Sequence, residues 1–157
     1  MVIKFRPRWP QRGDVGLVKN KIVGIIPARF KSSRFPGKPL ADIHGKPMIW
    51  HVYQRATKAK LLDEIYVATD DQRIKEVCDS FNMQVIMTSD THTTGSDRLS
   101  ECASRINADF YVNIQGDEPM IDPDSIDSVT QEILIEENEN IVASGAFMPI
   151  NDPSDII

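Results

Sequence analysis

The sequence predicts an α/β fold, a mainly parallel β-sheet with helices on both faces. Three observations lead there. Short β-branched runs alternate with stretches whose apolar residues recur at helical spacing, and strands joined through helices run parallel because the crossover carries the chain back to its starting end. The first run, residues 21–28 (KIVGIIPA), is apolar almost throughout, as in a strand covered on both sides. Length and composition permit such a core: 157 residues, 41% hydrophobic and 26% charged, with 8 Gly and 10 Pro, describe one ordinary soluble domain.

Each element has its own signature. Residues 1–20 show no sustained period and carry two prolines and two glycines. They are basic, but lack the apolar stretch of a secretory signal and the serines of a transit peptide. They read as an irregular extension ahead of a domain over 21–157. A turn-rich segment fills 29–47. Ile49, Val52, Tyr53 and Ala56 then recur at helical spacing, and 64–69 (EIYVAT) reads as a second strand. Ile74, Val77, Cys78 and Phe81 fit the i, i+3, i+4, i+7 pattern of an amphipathic helix. Residues 83–88 form a third strand, followed by the helical stripe Leu99, Cys102, Ala103 and Ile106, with Ser96 expected as N-cap. Residues 110–115 (FYVNIQ) are a fourth strand. Asp122-Pro123 suits an N-cap and first helical position, opening a helix with Ile126, Val129 and Ile133. A fifth strand begins within 140–150. Cys78 and Cys102 fall on apolar stripes and read as buried, reduced thiols rather than a disulfide or metal pair. No apolar run approaches the roughly 20 residues that span a bilayer. No membrane insertion is expected, and the cytoplasm is the expected compartment.

Charge is informative by position. All 18 Lys and Arg lie at or before Arg105, with 11 acids, a surplus of +7; from Ile106 onward there are 12 acids and no Lys or Arg. A nucleic-acid binder would present a broad basic face, which this balance disfavours. A local cationic site facing a local acidic one suits a polyphosphate and its metal ion.

Two loops carry that contrast, and both leave the carboxyl ends of predicted strands, where parallel sheets bind ligands. After the first strand come Arg29, Lys31, Arg34 and Lys38 with no acid, interspersed with the small residues Ala28, Ser32, Ser33 and Gly37. Small residues let backbone amides approach an anion while the cations neutralise it. The Walker A spacing is missing. After the fourth strand, apolar but for Asn113, comes Gln115-Gly116-Asp117-Glu118-Pro119. Mg²⁺ takes one or two protein carboxylates plus phosphate oxygens and water, with Asp117 the first candidate and Glu118 the second. A third loop, 88–98 (TSDTHTTGSDR), is rich in hydroxyls that could read a nucleobase edge or ribose. Its His92 has no Asp or Ser partner identifiable by spacing, which argues against a general base.

Five segments in order, PARFKSSRFPGKPL at 27–40, HGKPMIWHV at 44–52, VATDD at 67–71, HTTGSDRL at 92–99 and NIQGDEPMI at 113–121, resemble the CMP-KDO synthetases (3-deoxy-manno-octulosonate cytidylyltransferases) from about Lys21 to the last residue. CMP-sialic acid synthetases are similar in fold and chemistry, but their first loop is a glycine-rich, Asn-containing variant. The resemblance implies a Rossmann-like nucleotide-diphospho-sugar transferase sheet. It also implies transfer of CMP from CTP to the anomeric hydroxyl of KDO, releasing pyrophosphate and giving the activated sugar of lipopolysaccharide biosynthesis. By motif position, Arg29 and Lys38 meet the CTP phosphates with Arg34 assisting, Asp117 ligates Mg²⁺, and Gln115 lies near the reacting centre. Ala28 and Ser32 belong to the nucleotide loop, and His92, Gly95, Ser96 and Arg98 line the cytidine pocket. Members of that family are longer. Their second metal-ligating Asp, much of the sugar pocket and the dimer contacts fall beyond Ile157, so the chain corresponds to a truncated, nucleotide-binding half. Two outcomes follow: an active enzyme, as a homodimer if the missing half is supplied, or a catalytically inactive remnant that still binds CTP.

Overall fold

The structure, a computed structural model, describes residues 2–3, 20–31, 35–92, 94–135 and 143–144. In chain order its elements are β1 (Val2–Ile3), β2 (Ile22–Ala28), a 3₁₀ turn (Lys38–Leu40), β3 (Asp42–Ile43), β4 (Lys46–Pro47) and α1 (Met48–Ala56). There follow β5 (Glu64–Thr69), α2 (Gln72–Ser80), β6 (Val85–Met87), α3 (Gly95–Arg105), β7 (Phe110–Asn113), α4 (Pro123–Ile135) and β8 (Ala143–Ser144). The main sheet has the order β6-β5-β2-β7-β1-β8. Four neighbouring strands, β6, β5, β2 and β7, run parallel, as the alternating pattern requires. The extension expected to be irregular contributes a strand of its own: β1 lies antiparallel between β7 and β8, and two residues are too few to show a period.

The apolar run of β2 is buried on both faces. Ile22, Ile26 and Ala28 join a core with Ile49, Val52 and Ala56 of α1, Ile74 and Cys78 of α2, and Ile126 and Val129 of α4. Val23 and Ile25 face the other way, against Leu99 and Cys102 of α3. Helices therefore cover both sides, and burial of these side chains at about 25 cal/mol per Å² drives the assembly. Both cysteines are free and buried, and burial raises the Cys78 thiol to about 12 and that of Cys102 to about 11, as expected for inert core residues.

Local chemistry sets the boundaries. Asp71 caps α2 by accepting from the Arg73 amide at 3.0 Å. Ser96, expected to cap α3, is its second residue. The cap is Thr94, in a reciprocal box with Asp97 (Asp97 N to Thr94 Oγ1 3.1 Å, Thr94 N to Asp97 Oδ2 3.0 Å), because this pair alone has the three-residue spacing that satisfies both orphan amides. Asp122 caps α4 as expected, accepting from the Asp124 amide at 3.3 Å. The third strand is shorter than expected, and the side chain of Ile133 and most of 140–150 lie outside the described residues. The β3–β4 hairpin was hidden in the turn-rich segment. Its turn, His44-Gly45, has φ of 51° and 79°, the left-handed pair that tight hairpins demand. No helix among the described residues is long and apolar enough to cross a membrane.

Candidate functional site

A cleft of about 610 Å³ opens at the carboxyl ends of β2 and β7. One wall is the loop after β2, the second the loop after β7, and the third the start of α3.

The first wall is cationic. Ala28, Arg29, Lys31 and Lys38 line it. The loop closes on itself where the Gly37 amide donates to the Phe30 carbonyl at 2.8 Å. Gly37 sits at φ 73° with the Phe30 ring 3.0 Å from where a Cβ would be, so only glycine fits without strain. The chain then tightens into the 3₁₀ turn, buries Pro39, and delivers Lys38 to the cleft. Ser32 and Arg34 fall outside the described residues.

The second wall is acidic. Ile25 of β2 pairs with Asn113 of β7 in parallel register, and the Ile114 amide donates to the Ile25 carbonyl at 2.8 Å, so the segments leaving both strands run side by side. They touch at Gly116, where a Cβ would lie 2.4 Å from the Pro27 carbonyl oxygen. Arg55 of α1 pins the far end of the loop, its Nε donating to the Ile121 carbonyl at 2.8 Å. Gln115 and Asp117 line the cleft. Glu118 is exposed and does not line it. The two walls join where Lys38 Nζ meets Asp117 Oδ2 at 2.8 Å.

Of the third-loop candidates, Gly95 and Ser96 line the cleft, whereas His92 and Arg98 do not. His92 Nε2 meets Glu101 Oε2 at 2.5 Å. Glu101 also accepts the Ser89 amide at 2.8 Å and pairs with Arg105. Led by the Ser89 amide, with His92 and Arg105 adding to it, these donors hold the Glu101 carboxyl below its ordinary range. Arg98 is fully buried: its Nη1 donates to Thr88 Oγ1 and its Nη2 lies 3.5 Å from Asp70 Oδ1. A guanidinium is buried only with such partners, so Arg98 ties the ends of β5 and β6 together behind the cleft. Asn113 lines the cleft floor and was not assigned from sequence, although a polar residue ending an apolar strand was the available signal.

Cations on one wall and a carboxylate on the other suit an anionic ligand carrying a hard cation. Among the described residues no group of three or more His, Cys, Asp or Glu could hold a metal by itself. A lone cleft carboxylate fits a cation shared with ligand phosphates and water, the usual Mg²⁺ arrangement, and not a protein-only cage.

Residues 23–151 match the family model described as cytidylyltransferase. The chain belongs to the cytidylyltransferase family. Within that family it is 60% identical over 107 residues to the 3-deoxy-manno-octulosonate cytidylyltransferase of Geobacter metallireducens, covering 68% of this chain and 42% of that one. It is 54% identical over 112 residues to the 8-amino-3,8-dideoxy-manno-octulosonate cytidylyltransferase of Shewanella frigidimarina, covering 69% and 46%. A solved structure of CMP:2-keto-3-deoxy-manno-octonic acid synthetase complexed with CTP superposes with a TM-score of 0.71 at 49% identity, over 73% of this chain and 47% of that one. This cytidylyltransferase chain thus spans less than half the length of the curated relatives it matches.

Proposed function

We propose that this chain holds the nucleotide half of a CMP-KDO synthetase, a cytoplasmic enzyme that prepares KDO for lipopolysaccharide. The observation that carries the reading is the 2.8 Å approach of Lys38 to Asp117 across the cleft, which brings together an ammonium that would neutralise phosphate and a carboxylate that would bind metal. The relatives' names and the CTP complex support CTP and KDO as substrates.

In the reaction the anomeric hydroxyl of the sugar acid attacks the α-phosphorus of CTP. The bond from the α-phosphorus to the bridging oxygen breaks, pyrophosphate leaves with that electron pair, and the hydroxyl proton passes to water. Alignment supplies much of the rate, with Asn113 and the start of α3, which line the cleft, seating the nucleotide end. Arg29 and Lys38 stabilise charge on the bridging and leaving oxygens. Asp117 would hold Mg²⁺, which when bound adds further neutralisation of those oxygens. Gln115, beside Asp117 at the cleft, would orient the incoming sugar.

Pyrophosphate release by the 157-residue chain given CTP, Mg²⁺ and either KDO or its 8-amino analogue tests this. Turnover is expected, with Lys38→Ala and Asp117→Ala each slowing it about 10²-fold, equivalent to about 3 kcal/mol. Near-normal turnover in either variant would contradict the roles. One observation favours a second reading: a single carboxylate lines the cleft among the described residues. CTP binding without pyrophosphate release would identify the chain as a binding half.

A further inference from the structure

We propose that Arg73, on α2 and outside the cleft, is a positioning residue for the cationic loop. The inference rests on the reading of that loop as the site for nucleotide phosphates. An arginine whose side chain is 58% exposed ordinarily samples many rotamers. This one is held in a fork: Nε donates to Asp71 Oδ1 at 2.9 Å and Nη2 to Asp71 Oδ2 at 2.7 Å, a two-point contact that fixes the guanidinium plane. Asp71 is itself fixed, because it accepts the Arg73 amide as the cap of α2 and its own amide donates to Thr69 Oγ1 at 3.2 Å.

The fixed guanidinium lies over the Phe30 ring, its central carbon 3.3 Å from the ring centroid, in the geometry of a cation–aromatic contact. That ring lies against Gly37, leaving no room for a Cβ, and the Phe30 carbonyl accepts the Gly37 amide. Gly37 leads directly into Lys38. A continuous chain of contacts therefore runs from the cap of α2 through Arg73, Phe30 and Gly37 to the ammonium that meets Asp117. Arg73 does not line the cleft, so its effect is to keep the loop in its binding shape before the ligand arrives. A preordered loop loses less conformational freedom on binding. Lysine cannot replace arginine here, because an ammonium has neither the planar fork nor the stacking face.

The experiment pairs CTP titration, in the presence of Mg²⁺, with amide hydrogen exchange at Gly37 in the ligand-free chain, for wild type, Arg73→Ala, Arg73→Lys and Phe30→Leu. Circular dichroism first establishes that each variant is folded. All three substitutions are expected to weaken CTP binding and speed Gly37 exchange by about two- to fivefold, the size of one exposed cation–aromatic contact. If Arg73→Lys matches wild type in both readouts, plain charge suffices and the stacking proposal is overturned. Unchanged Gly37 exchange in Arg73→Ala overturns it as well. Should wild type itself fail to bind CTP, the functional reading fails, and Gly37 exchange still decides whether Arg73 orders the loop.

Discussion

Lys38 and Asp117 have side chains 37% and 55% exposed, so their ion pair contributes little to folding; its consequence is to set where two opposite charges stand. Sequence alone singled out both residues, because a buried strand followed by cations and another followed by Asp117 place them at one sheet end. It could not show what brings them within bonding distance. That depends on Gly116, whose bare Cα lets the acidic loop lie against the Pro27 carbonyl. A methyl there would overlap backbone, which cannot swing aside as a side chain can. Gly116→Ala is expected to move the two loops apart and weaken CTP binding at least tenfold, about 1.4 kcal/mol, while thermal melting stays cooperative. Calorimetric titration with CTP reads this out, and unchanged affinity would show that the contact is incidental.

At the scale of elements, α3 does two jobs. Its first residues line the cleft, and its later side chains hold the preceding loop through Arg98, Glu101 and Arg105. The apolar stripe of α3 was legible, since Leu99 and Cys102 follow the helical period. The roles of His92 and Arg98 were not, because polar residues near a site point either into it or into the scaffold, and only the partners decide. Glu101 gives the scaffold a pH signature. Its folded-state value lies below the ordinary glutamate value of about 4.3, so its stabilising effect is complete above that value. The effect disappears as pH falls through the lowered folded-state value. Protection from hydrogen exchange across 88–92 is therefore expected to fall as pH drops through the lowered Glu101 value, before the rest of the chain opens. In Glu101→Gln that protection is expected to be low at neutral pH and flat with acidification; an unaltered profile in this variant would remove Glu101 from the account.

Over the whole molecule, the parallel sheet was readable because its strands are short apolar runs and its helices keep strict stripes. Both patterns are local, and both survive without knowledge of partners. What was not readable is non-local: the antiparallel insertion of Val2–Ile3 beside β7, the hairpin folded out of a turn-rich stretch, and the brace from Arg55 to Ile121. Together these elements frame a cleft at the carboxyl ends of the central strands, with cations from the first half of the chain facing acid from the second. The most direct test of that convergence is calorimetric titration of the chain with CTP, with and without Mg²⁺, compared with Asp117→Asn. A wild-type affinity that rises on adding Mg²⁺, and an Asp117→Asn affinity that ignores the metal, are the predicted results. Equal metal dependence in the two proteins would mean that Asp117 and the cationic loop do not serve the same ligand.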